Sequence, residues 1–205
     1  VDVGYYEYAS KTLITRSVIL SLGVVLLPRI ANLYEKGDYS QMWKYISQSL
    51  KLSIVLAVAL SFGTAVVASD FAPLFWGSEF SKCSNIMVIL SFTTIFWTVA
   101  QIVRTQYLIP TGRDRDYISS VFVGAGINLF LNIILIPNYK GVGAAVATLV
   151  TEIAVCIFQL FVVRKEFLFI KDIKKYIPYV IFGIVMAFVV EIIKFITPTL
   201  WISVL

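Results

Sequence analysis

Residues 83–103 and 117–139 contain no charged side chain. A helix of about 20 such residues spans the roughly 30 Å hydrocarbon layer of a bilayer. Inside that layer every backbone N–H and C=O must be paired within the element, which leaves helices and closed barrels. Residues 52–69 are also uncharged, residues 141–163 carry only Glu152, and residues 176–190 are clean before Glu191. The first apolar run, residues 17–28, is preceded by Glu7, Lys11 and Arg16. The runs predict six spans at about 5–33, 45–73, 82–109, 116–137, 141–163 and 176–196, with Trp201 to Leu205 opening a seventh. Barrel strands would alternate over about ten residues, which these solid runs do not. The expected fold is an all-α polytopic transmembrane helix bundle.

Composition agrees. The chain is 59% hydrophobic and 14% charged, against about 25% charged in a soluble domain. There is no His, which removes the commonest general base and metal ligand. Cys83 and Cys156 form no metal-type spacing, and no phosphate-binding glycine motif is present. Neither an enzyme, a metal site nor a cofactor is expected. The chain opens on Val1 without a signal-peptide pattern and is expected to be a segment of a longer protein.

The net charge of +5 matters less than where the charges lie. Twelve basic residues cluster at alternate connections: Arg29, Lys36, Lys44 and Lys51; Arg104, Arg113 and Arg115; Arg164, Lys165, Lys171, Lys174 and Lys175. The opposite connections hold Lys82, Lys140 and Lys194. By the positive-inside rule the rich side is cytoplasmic, so the first span begins outside. A nucleic-acid partner is not implied. Residues 164–175 read equally as a basic loop or as an amphipathic surface helix.

Ionisable groups inside spans are candidates for function. Glu7 and Lys11 share a face at i, i+4 and serve equally as a rim pair. Arg16 lies deeper with no acid nearby in sequence. Gln101 and Arg104 approach the cytoplasmic end of the third span, where Arg104 can snorkel to the headgroups. Asn128 and Asn132 share a face and suit either helix gluing or ligand contact. Glu152 is mid-span, so it is protonated, paired to a base such as Arg16, or lining water. Thr148 and Gln159 continue its stripe. Glu191 and Lys194 read as interfacial. Gly141, Gly143, Ala144 and Ala147 provide the small-residue spacing of closely packed helices.

The order of these features resembles the second half of a known family. The resemblance rests on Val3-Gly-Tyr-Tyr-Glu-Tyr-Ala-Ser-Lys11, Leu26-Leu-Pro-Arg-Ile-Ala-Asn-Leu-Tyr34 and Pro73-Leu-Phe-Trp-Gly-Ser-Glu-Phe80. Its most specific part is Gln106-Tyr-Leu-Ile-Pro-Thr-Gly-Arg-Asp114, with Asn128, Asn132, Gly141-Val-Gly-Ala-Ala145 and Thr151-Glu152. These segments are similar to Wzx-type polysaccharide flippases of the multidrug/oligosaccharidyl-lipid/polysaccharide superfamily, whose fold resembles those of MurJ and the MATE transporters. The resemblance implies the C-terminal lobe of a two-lobed flippase in a bacterial plasma membrane, partnered by a missing N-terminal lobe. It implies alternating-access translocation of undecaprenyl-pyrophosphate-linked oligosaccharide. Lys11, Arg16 and Arg104 would then offset pyrophosphate charge, while Gln101 and Asn128 meet sugar hydroxyls. A MATE-type antiporter using Glu152 for its coupling ion is the alternative. A membrane-embedded polymerase fits poorly, because the outer connections are short. An inactive truncated product is the remaining reading.

Overall fold

Every element of the described residues is helical. The computed structural model describes residues 2–166 and 175–196. The order is α1 (Asp2–Lys11), a 3₁₀ turn (Thr12–Thr15), α2 (Arg16–Glu35), α3 (Tyr39–Trp76), a 3₁₀ turn (Ser78–Lys82), α4 (Cys83–Val103), a π-helical turn (Arg104–Leu108), α5 (Asp114–Val163) and α6 (Ile177–Ile196). Five of the resulting helices are long and apolar enough to cross a membrane.

Local chemistry explains the interruptions. Thr12 and Thr15 hydroxyls donate to the carbonyls of Ala9 and Thr12, at 2.7 and 3.1 Å. Such back-bonding competes with the helical ladder, and residues 12–15 tighten to 3₁₀ within one continuous first helix, Gly4–Glu35. Asp38 caps α3 by accepting from the Gln41 N–H at 3.1 Å, a common helix start. Gly77 ends α3 at φ +100°, a conformation that suits glycine.

Two expected spans, at about 116–137 and 141–163, form a single 50-residue element broken at Lys140, whose φ is +50° and ψ −128°. Unbroken, it would be about 75 Å long, far more than a bilayer. Instead it folds back on itself. Gln159 donates to Ser120 at 2.9 Å and Asn128 to Thr151 at 3.2 Å. Between them, a Cβ added to Gly124 would lie 2.6 Å from Val155 Cγ2. Each four-residue step toward the tip on one arm is matched by four on the other, as an antiparallel pair requires. The outer face of the first arm is bare: Phe122, Leu129, Phe130 and Ile133 are all more than 60% exposed. That suits lipid contact.

Packing divides into two clusters. One gathers Ile30, Met42, Ile46, Leu50, Ile102, Leu108 and Val163. The other gathers Ala9, Ala68, Ala72, Cys83, Met87 and Ala145. The basic connections lie at the end of the first cluster. There Arg29 donates to the Tyr45 hydroxyl, Trp43 stacks on Tyr107 at 5.2 Å, and Arg113 bridges Asp116 and Glu166 at 2.7 and 3.2 Å.

Among the described residues, α6 packs chiefly against α3. Gly183 permits this, because a Cβ there would fall 2.6 Å from both Phe62 and Val58 side chains. Lys194 is tucked against α3, with its side chain 13% exposed. It pairs with Asp70 at 2.6 Å and donates to the Val66 carbonyl. An ammonium beside an apolar helix face is cheaper when paired than when left for lipid. The expected surface segment at 164–175 falls largely outside the described residues, as does Trp201 to Leu205.

Candidate functional site: a charged crevice between the first helix, α4 and α5

Arg16 is the first residue of α2, immediately after the 3₁₀ turn. The turn aims it toward α4 and the second α5 arm. Its Nη1 lies 3.6 Å from Glu152 Oε1, and the two side chains are 12% and 20% exposed. Its Nε donates to Thr94 Oγ1 at 3.3 Å, and Nη2 donates to the Thr93 hydroxyl. The guanidinium lies 5.1 Å from the Trp97 ring centroid. A mid-span charge is tolerable when hydrogen bonds, a counter-charge and an aromatic face share its cost. The expected pairing of Glu152 with Arg16 is present.

Polar groups extend from this pair in both directions. Toward the tip of the hairpin, the Tyr6 and Thr148 hydroxyls are 3.0 Å apart. Toward the basic end, Arg104 opens the π turn and lies 5.3 Å from the Tyr117 ring. Arg104 is also within electrostatic reach of Glu152. The π turn is defined by the Ile109 N–H donating to the Arg104 carbonyl at 3.0 Å. Such turns recur at functional sites.

The remaining candidates separate by role. Asn128 donates to Thr151 at 3.2 Å, and Asn132 donates to Asn128 Oδ1 at 2.8 Å. Asn128 therefore joins the two arms of the hairpin, while Asn132 supports it from one turn further along the same arm. Gln101 is 3% exposed, and its Oε1 is buried without a hydrogen bond. Lys11 does not share the Arg16 crevice. It lies 4.0 Å from Glu7, with 57% and 68% of the two side chains exposed, and lines a separate groove against α3. Five residues along a helix turn a side chain by about 500°, so the two cations diverge.

Thr93, Thr94, Trp97 and Tyr117 were not singled out by sequence. Their signal was positional, since Thr94, Trp97, Gln101 and Arg104 recur at three and four residues along one stripe of α4. Among the described residues no group of three or more His, Cys, Asp or Glu stands together to hold a metal. Outside the spans, burial opposes the Arg113 charge, but the hydrogen bond and charge of Asp116, with Glu166 beyond, outweigh it. The result holds this guanidinium's pKa above its ordinary value.

The family model described as "Lipid II flippase MurJ" matches residues 3–205. The chain belongs to the MurJ flippase family. It is 30% identical over 147 residues to the probable low-salt glycan biosynthesis flippase Agl15 of Haloferax volcanii, covering 71% of this chain and 31% of that protein. It is 23% identical over 163 residues to the lipid II flippase MurJ of Bacillus subtilis, covering 78% and 30%. The fold superposes on that of lipid II flippase MurJ in an inward closed conformation with a TM-score of 0.80 at 20% identity. That match covers 93% of this chain and 41% of the other. The chain thus spans about a third of the length of these curated relatives. It is a multi-pass membrane member of a flippase family.

Proposed function

We propose that this chain is the C-terminal lobe of a flippase that carries a polyprenyl-pyrophosphate-linked oligosaccharide across the membrane. The finer reading is a Wzx-type protein, whose cargo is an undecaprenyl-linked repeat unit for surface polysaccharide. The observation that carries the reading is the Arg16 crevice. A guanidinium held within the span by Thr93, Thr94 and Glu152 is a preorganised donor for a phosphate-type anion. Arg104 supplies a second cation on the way to the basic end. The N-terminal lobe would close the crevice, and rocking of the lobes would alternate its access. The basic connections face the cytoplasm in this reading. Cation-coupled antiport through Glu152 fits less well, because Arg16 already engages that carboxylate.

The test uses the full-length protein in cells depleted of their own flippase. Lipid-linked oligosaccharide in the outer leaflet is measured with a membrane-impermeant, glycan-modifying enzyme. The wild type restores outer-leaflet substrate, and R16A and R104A lower it at least tenfold with protein still in the membrane. Wild-type levels in both variants would sink the proposal.

A further inference from the structure

Lys11 and Glu7 stand apart from the crevice and need another explanation. Lys11 sits at the mouth of a groove of about 400 Å³ between the 3₁₀ turn of the first helix and α3. Thr12 and Thr15 form one wall, with Thr64, Val67, Phe71 and Phe75 opposite. The hydroxyls of Thr12 and Thr15 are committed to backbone carbonyls, so their methyl groups are left for the groove. The α3 positions recur every three or four residues and so form one helical stripe. From Thr64 to Phe75 the stripe runs about 16 Å. That is half of the roughly 30 Å hydrocarbon layer, the depth of one leaflet.

Depth places the mouth at the headgroups. Tyr8, three residues before Lys11, packs on Trp76, the last residue of α3, with ring centroids 5.6 Å apart. This end of the groove is therefore level with the connection from α3 to α4, and tyrosine and tryptophan favour the membrane interface. There the Glu7 and Lys11 charges sit 4.0 Å apart and more than half exposed. So loose a pair has little mutual hold and remains open to a third party.

We propose that this groove binds one bilayer phospholipid with a phosphate and a primary ammonium in its headgroup, phosphatidylethanolamine being the simplest. Lys11 donates to the phosphate, Glu7 accepts from the ammonium, and an acyl chain lies along the α3 stripe. A purely anionic headgroup would meet the Glu7 carboxylate. A quaternary ammonium would have no N–H to offer it. The site is independent of the cargo carried in the Arg16 crevice.

The test is native mass spectrometry of the full-length protein. It is reconstituted in turn with phosphatidylethanolamine, phosphatidylglycerol and phosphatidylcholine, then released into mild detergent. One phosphatidylethanolamine is expected to stay bound, at least tenfold over either other lipid. V67W fills the groove and removes the adduct. E7Q and K11M lower it at least fivefold. A59L, in a different groove between α3 and α6, leaves it unchanged. Glu7 and Lys11 are exposed, so their variants decide the matter if V67W misfolds. Equal retention of the three lipids, an adduct insensitive to E7Q and K11M, or a polyprenyl mass in its place overturns the proposal.

Discussion

Arg16 of α2 holds Glu152 of the second α5 arm at 3.6 Å, and together they join the first helix to the hairpin across the face of α4. Removing one member of a pair this enclosed strands the other charge, at a cost of roughly 3–5 kcal/mol. R16A is therefore expected to melt several degrees below wild type in detergent, and R16A/E152Q to regain most of that loss. A thermal double-mutant cycle measures the coupling directly. Additive single losses would mean that the two side chains do not hold each other. The same double variant should not recover transport, which would separate Arg16 as a substrate cation from Arg16 as a structural one.

The α5 hairpin depends on its small residues. A Cβ at Gly143 would lie 2.5 Å from the Leu135 carbonyl oxygen and 2.8 Å from its carbon. Backbone cannot step aside as a flexible side chain can. G143A should cost about 1–3 kcal/mol, read as a lowered melting temperature. G126A, where an added Cβ meets nothing within 4 Å, should change stability little. Similar losses from both would point to a general intolerance of the arm rather than to a close approach.

Seating of α6 should rest on shape more than on charge. Asp70 is 37% exposed beside Lys194, so solvent weakens that pair and K194M should cost about 1 kcal/mol or less. G183L drives a branched side chain into Phe62 and Val58 and should cost more. Thermal melts of the two variants rank the terms, and a larger loss from K194M would reverse the ordering.

Both cysteines are free, with exposures of 0% for Cys83 and 5% for Cys156. A membrane-permeant maleimide should therefore label neither within the time that it labels an exposed control thiol. Addition of denaturing detergent should release both. Rapid native labelling of Cys83 would mean that the cluster around Ala72 and Met87 opens readily.

The membrane architecture was legible because lipid allows the backbone few solutions, and long uncharged runs declare the helical one. The partner of Glu152 was legible only as one of three options, since a mid-span carboxylate is protonated, paired to a cation such as Arg16, or beside water. Lys11 was harder. It looks like Arg16 in composition, but helical phase carries it to another face. Thr93, Thr94 and Trp97 escaped notice because threonine and tryptophan are ordinary in apolar helices, and only the fold shows what they touch. The close tie of Lys194 to Asp70 joins distant segments and leaves no local spacing to read.

The matched steps of the two α5 arms bear on how such a chain can change over time. One residue inserted between Ser120 and Lys140 would rotate everything on one side of it by about 100°. Part of the arm would then offer Val123 or Ala125 where Gly124 now fits, and Ile127 or Leu129 where Asn128 does. Homologous chains should therefore vary in length at the Lys140 tip and beyond the arms, and exchange side chains within them in compensating pairs.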